Sequence, residues 1–455
     1  MNSRSGTLTE RAALDQPWLY DADLDYIYDV FAQMRREEPV FWYEPGRFWV
    51  LSKYEDQRHV GNHPELFSSS YGFLIGDNFD PAGVVAQLPG WAQETLGSCP
   101  MTRQETRGYI SRATLSLGDP ELLNLGCMDP PEHSHVRNIL SNALSVRVVR
   151  DLRPTIERVT SATLEAIEPG STLDFIDTVA AQIPSVLISE LVDVPIEDRE
   201  KFVSWSVAFV ESATLTPETD PERVERIVRW AAEFVDYLKA LLESRRANPG
   251  DDVLSRIVAS ELDGEPVSQS TALMLAVIFI AGVNNTSSKL IGFSAQALAE
   301  RPDQRAILLK HPECVDTAVD EVLRWYPIIW TQCRTALQRM EIRGQTIEEG
   351  AYLVLPFPSA NRDEDIWEHP DRFDVTRAIG TVRQHLGFGW GAHRCPGASM
   401  ARLEGRIFLE AMLERFPSWE LAGEPVRHRN SMMVNGLQSM PVRFEVAAPS
   451  VRRKS

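Results

Sequence analysis

Cys395 stands in the stretch His385–Gly397, H-L-G-F-G-W-G-A-H-R-C-P-G, and the residues behind it, Ala398–Glu404, have a helix-forming composition. A cysteine just ahead of a helix meets free backbone amides and the positive helix end, both of which favour an anionic sulfur. Pro396 suits a first helical position, where a missing N–H costs nothing. Phe388 offers an aromatic wall, and Gly389, Gly391 and Gly397 leave the backbone open to close approach by a flat ligand. A thiolate with a flat, apolar approach is what an axial ligand of haem iron requires. Two plainer readings compete. One is a free core cysteine. The other is a zinc site of Cys395, His393 and His385, although no C-x-x-C or H-x-x-x-H spacing lies near it.

Three further groups carry chemistry by type and spacing. In D-P-P-E-H-S-H-V-R, His133 and Arg137 lie four apart and share a face if helical, while His135 points elsewhere. In E-V-L-R, Glu321 and Arg324 lie three apart; Trp325-Tyr326-Pro327 follows, then A-N-R-D at 360–363 and P-D-R-F at 370–373. By itself E-x-x-R is an ordinary solvated helix pair. The third group is A-G-V-N-N-T, Ala281–Thr286, inside a long helix expected from about Ser268 to Glu300 whose first half is apolar all round and so internal.

The cysteine segment resembles the haem-binding loop of the cytochrome P-450 family, F-x-x-G-x-(H/R)-x-C-x-G, at Phe388, Gly391, His393, Cys395 and Gly397. The likeness runs from about residue 15 to 447, with motifs in the family's order. It implies a mainly α fold with small β-sheets, with haem b between the long central helix and the cysteine loop. Cys395 would be the axial ligand of the iron. His133, Arg137, Arg334 and His393 would hold the propionates, arginine being suited by its planar fork. Phe388, Gly389, Gly397 and Ala281 would touch the cofactor. Glu321, Arg324 and Arg372 would form a buried ionic triad behind it.

The same likeness places Gly282 where the helix opens over the iron, and puts Asn284 and Asn285 where the family carries an acid and an alcohol, with Thr286 behind. An amide orients water but is a poor general acid. Three readings stay open: Asn285 positions a proton-delivering water, a local helix bulge brings Thr286 into the alcohol's place, or the substrate completes the relay. Ile328, Ile329 and Trp330, with Met432, Met433 and Val434, would line an apolar pocket, or belong to the core.

The elements around these motifs read as mostly helical. Helices are expected over Asp23–Arg36 and Tyr54–Asn62, and an amphipathic one from Asp220-Pro221 onward. Two strands fall within Pro39–Leu51, and strand-like runs at Tyr352–Pro356 and Val442–Val446. Residues 1–15 and 448–455 read as flexible ends and 16–447 as one domain. The glycine- and proline-rich stretch 68–128 is too long for an ordinary connection; the likeness makes it a lid over the substrate, against a plain surface insertion.

With 455 residues and a net charge of −19, the chain can bury a large core and is a poor candidate for nucleic acid. Five scattered cysteines are no disulfide framework. No apolar leader or membrane anchor is read at the N-terminus, so a cytoplasmic, monomeric enzyme is expected. The implied activity is monooxygenation of a small apolar substrate (steroid, terpenoid, fatty acid or aromatic) with O2. Electrons would come from NAD(P)H through an external ferredoxin-like partner, docking near Arg394 and Arg402. A peroxygenase, isomerase or dehydratase, and a non-catalytic haem sensor, are the alternatives.

Overall fold

The computed structural model describes residues 7–12, 24–73, 75, 125–212, 221–428 and 433–445. Its axis is the helix Gln269–Glu300. Ser268 caps it in extended conformation, its hydroxyl accepting from Thr271 N at 3.0 Å, which satisfies one of the orphan amides of the first turn. From Ala272 to Ile280 every side chain but Ile278 is buried. Among the described residues this is the one helix long and apolar enough to cross a membrane, and more than half of that apolar window is inside the protein.

Helices pack round this axis in two hydrophobic clusters. In the first, Pro221–Ala247 contributes Ile227, Ala231, Phe234, Val235, Leu238 and Leu242, the apolar stripe expected at helical spacing. In the second, the C-terminal half of the axis meets Val315–Trp325 and Ala398–Arg415 through Leu290, Val319, Leu323, Phe408 and Met412. Burial of these stripes, not helix propensity, holds the elements in place.

A five-stranded sheet stands beside the bundle in the order Val40–Tyr43, Phe48–Leu51, Tyr352–Pro356, Thr331–Ala336, Phe67–Ser68. Trp49 pairs in parallel with Leu353, which in turn lies opposite Arg334 in an antiparallel ladder. Strand register therefore sets where Arg334 points, because a slip of one residue would turn it to the other face.

One expectation about the ends changes. Leu8–Ala12 is a short helix, not a loose end: Thr7 and Glu10 close a reciprocal capping box (Thr7 N to Glu10 Oε2 2.8 Å, Glu10 N to Thr7 Oγ1 3.3 Å), and Leu8 is buried against the Leu24–Glu37 helix. Most of the 68–128 stretch, the tail 448–455 and Met432 lie outside the described residues.

Candidate active site

The cysteine loop is tied down by backbone bonds. Cys395 N donates to Phe388 O (2.8 Å), Gly389 N to Leu386 O (2.8 Å) and Arg394 N to Gly391 O (3.1 Å). The following helix starts at Ala398 with Gly397 as its N-cap, so Pro396 precedes the helix and does not occupy its first turn as expected. Gly391 is demanded by packing rather than by a flat ligand. At φ +68° a Cβ there would fall 1.6 Å from Gly61 O, a position only glycine can take. The Cys395 side chain opens outward, yet burial of the sulfur within the loop pushes its thiol pKa up, against the Gly397 N–H and Arg137, Arg394 and Arg402, which pull it down.

Beneath the loop, the buried carboxylate of Asp320 accepts hydrogen bonds from His385 Nε2 (3.0 Å), Arg402 Nε (2.8 Å) and Arg383 Nε (3.2 Å). Burial opposes that charge, but the His385 and Arg402 hydrogen bonds hold the pKa down at about 2. His385 Nδ1 accepts from Gly387 N at 3.0 Å, so the ring carries its proton on Nε2 and has no lone pair for zinc. Among the described residues no His/Cys/Asp/Glu group has a metal-holding arrangement. Arg402 also lies 4.7 Å over the Phe388 ring, so it braces the loop instead of offering a docking charge, and Arg394 is the exposed one of the pair.

A cavity opens beside this loop, lined by His133, Arg137, Arg334 and His393 together with Phe73, Ile278 and Pro396. His133 and Arg137 do share a face of the helix Glu132–Ala143, and the His133 and His393 rings lie 4.1 Å apart. Burial, then the neighbouring arginines, lowers the His133 pKa to about 4 and that of His393 to about 2. At neutral pH the arginines therefore carry the charge and the imidazoles serve as neutral donors. Both ring nitrogens of His133 are buried with no partner within the protein, a costly state unless an acceptor meets them. A thiol next to the cavity-lining Pro396, two arginines and an orphaned imidazole are the donor set that haem with its two carboxylates requires, so these residues fit that group.

Over the cavity runs the Gln269–Glu300 helix, α-helical throughout. The expected opening at Gly282 and the bulge that would bring Thr286 forward are both absent. Thr286 Oγ1 donates instead to Gly282 O, one turn back, at 2.5 Å. A Cβ on Gly282 would meet nothing within 4 Å. Asn284 turns away from the cavity into the helix packing: Ser185 Oγ donates to its Oδ1 (3.0 Å) and its Nδ2 donates to Ser206 Oγ (2.8 Å). Asn285 Oδ1 accepts from Lys289 Nζ.

The cytochrome P450 family model matches residues 202–446, more than half of the chain. The chain is a cytochrome P450. It is 31% identical to linalool 8-monooxygenase of Pseudomonas putida, over 95% of this chain and 98% of that protein. It is 34% identical to 6-deoxyerythronolide B hydroxylase of Saccharopolyspora erythraea, over 92% and 96%. The open, histidine-tagged cytochrome P450 EryK of S. erythraea superposes with a TM-score of 0.75 at 31% identity, covering 95% of this chain and 98% of that one. The P450 is accordingly a haem-dependent monooxygenase that uses O2.

In this P450 the buried triad differs from the sequence reading. Glu321 and Arg324 pair through two bonds of 2.7 and 2.8 Å, both fully buried. The third member is Arg377, whose Nε lies 3.2 Å from Glu321 Oε1. Arg372 is displaced to the surface, 3.7 Å from Asp374 with its side chain 63% exposed. Its contribution is its backbone: Arg372 O accepts from both Arg324 and Arg377. The chain turn at Pro370–Asp374 presents that carbonyl inward, which forces the side chain out. Of the six pocket candidates, Ile328 and Trp330 are buried in hydrophobic clusters, while Ile329 and Val434 are half-buried beside two of them. Gln332, two residues on from Trp330, faces the cavity instead. The structure does join the two segments: Trp330 N donates to Met433 O (2.7 Å), Asn435 N to Ile328 O (2.7 Å), and Ile329 bridges Val434.

Glu404 is the residue the sequence reading missed. It lies on Ala398–Arg415 beside the axial helix, 2% exposed, and burial raises its pKa to about 7 against the Ser287 hydroxyl. That hydroxyl is near enough to favour the anion, but neither carboxylate oxygen has a hydrogen bond of good geometry. The signal was available: Glu404 shares a helical face with Met400, Ile407 and Phe408, a lone acid in an apolar stripe.

Proposed function

We propose that this P450 hydroxylates a small apolar molecule (a terpenoid, steroid, fatty acid or aromatic) in the cytoplasm, with NAD(P)H-derived electrons delivered by an external ferredoxin. The overall balance is substrate C–H, O2, two electrons and two protons giving C–OH and water. Bound haem supplies the redox chemistry of that conversion. Cys395 is assigned as its axial ligand, Arg137, Arg334, His133 and His393 as the carboxylate holders, and Phe388, Gly389 and Gly397 as the loop residues framing the sulfur. Ala281 and Gly282 are assigned as the small residues that leave room for the cofactor on the axial helix, and Asn285 as a hydrogen-bonding partner for water there. The single observation that carries this reading is the orphaned His133 ring among two arginines beside the Cys395 loop.

Asn284 is engaged by two serines, and Glu404, buried beside the axial helix near Ser287, has its pKa raised to about 7 by burial. The relative named for linalool supports terpenoids as the first class to try. The test is a titration of the ferric holoprotein with terpenoids, steroids, fatty acids and small aromatics, following the Soret band. A low-to-high-spin shift with one class supports the reading; no shift with any class counts against a small apolar substrate. The amide pair Asn284-Asn285 favours a second reading, a peroxide-driven oxygenase. Product formed with hydrogen peroxide and no reductant, at a rate matching the reductase-supported one, would establish it.

A further inference from the structure

The side chain of Lys289 is set one helical turn beyond Asn285. Its Nζ meets both Asn285 Oδ1 and Asn285 O, the latter at 3.4 Å. Its stem is wedged against the C-terminal loop, where a Cβ at Gly436 would fall 2.5, 2.8 and 2.9 Å from Lys289 Cε, Cδ and Cγ. Ile278, Asn285 and Lys289 lie on one face of the helix, because spacings of seven and four residues return almost to the same angle. Ile278 on that face lines the cavity. An ammonium has donors and no acceptor, so only the amide oxygen of Asn285 can meet it. Nδ2, the other arm of the planar amide, is then turned away from Lys289, on the helix face that carries Ile278.

We infer that Lys289 is a positioning residue that locks the Asn285 amide with its N–H groups presented to the distal cavity, so that Asn285 acts there only as a hydrogen-bond donor. A free asparagine amide can flip and present either end. Locked by Lys289, it stabilises an acceptor in the cavity, such as a water oxygen or a carbonyl of a ligand, and cannot accept a proton from one. Gly436 belongs to the same device, since it leaves the space in which the lysine stem is held.

The inference rests on the haem-thiolate reading, and the two are separated by one spectroscopic series. The carbon monoxide complex of the ferrous holoprotein reports distal donors through the CO stretching frequency, because a donor to the CO oxygen weakens the C–O bond. The wild type should give a strongly red-shifted Soret band and a single narrow CO stretch. Asn285→Ala should shift the stretch upward. Lys289→Met should broaden it and move it toward the Asn285→Ala position, and Lys289→Arg should return it toward wild type. Gly436→Ala, which leaves the helix sequence intact, should reproduce Lys289→Met by dislodging the stem. A Lys289→Met band identical to wild type alongside a shifted Asn285→Ala band overturns the inference. So does an unshifted Asn285→Ala band. Absence of the red-shifted Soret band in wild type would overturn the haem-thiolate reading beneath it.

Discussion

Below the cysteine loop, Glu321 is matched by Arg324 and Arg377, and Asp320 by His385, Arg402 and Arg383. The axial helix carries amides and hydroxyls, and beside it, on the helix that follows the cysteine loop, Glu404 is a buried acid with no hydrogen-bonded partner among the described residues. Asp320 is thus held as an anion, its pKa down at about 2, whereas burial raises the Glu404 pKa to about 7. The difference follows from the partners each carboxylate has. A paired buried ion fixes geometry, since losing one partner leaves an uncompensated charge. An unpaired buried acid keeps its proton and can give it up near neutral pH.

The sharpest way to break this contrast is Glu321→Ala. It strands Arg324 and Arg377 in the interior, and a loss of about 3–5 kcal/mol is expected, read as little folded, haem-containing protein after expression; a normal yield with full haem content would refute the structural role. Glu404→Gln tests the unpaired acid. The native state holds the Glu404 proton more tightly than the unfolded chain does. Wild-type stability should therefore fall as pH rises from about 4.5 to about 7 and then level off, a total of about 3 kcal/mol. Denaturant melts across pH should show that this fall is missing in Glu404→Gln; parallel curves would mean Glu404 is ionised in the native state.

Asp320→Asn removes the anion shared by three donors, and about 2 kcal/mol of stability should go with it. Its signature should be faster loss of haem to an acceptor protein, because His385 and Arg402 flank the cysteine loop; an unchanged rate would confine the network to the scaffold. Arg372→Ala should cost the least, under about 0.5 kcal/mol, because the side chain is at the surface and only its carbonyl serves the triad. A loss as large as that of Glu321→Ala would restore Arg372 as the ionic partner.

Much of this architecture was legible from local pattern. The helix Tyr54–Asn62 and the strand Tyr352–Pro356 fall where periodicity and turn residues put them, and the axial helix begins within a residue of its expected start. The capping box at Thr7 was equally local but lay in a stretch too polar and short to stand out. What was not legible depended on which way a side chain turns once helices pack. Arg372 and Arg377 are both arginines in the same loop, and only the fold decides which approaches Glu321. Asn284 and Asn285 are adjacent and chemically identical, yet about 100° of helical rotation sends one into the Ser185–Ser206 packing and the other toward Lys289.

The sequence by itself determined the chemistry that this P450 carries: the cysteine in its glycine-rich loop, the histidines and arginines around it, and the apolar helix that must run inside. These are matters of residue type and short-range spacing, which helix and turn geometry convert directly into position. Only the tertiary structure decided which charges pair, that Glu404 is buried without a counter-ion, and that Lys289 lies between Asn285 and Gly436. Those outcomes depend on contacts between segments far apart in the chain, where burial and the direction of each side chain, rather than its identity, set the energy.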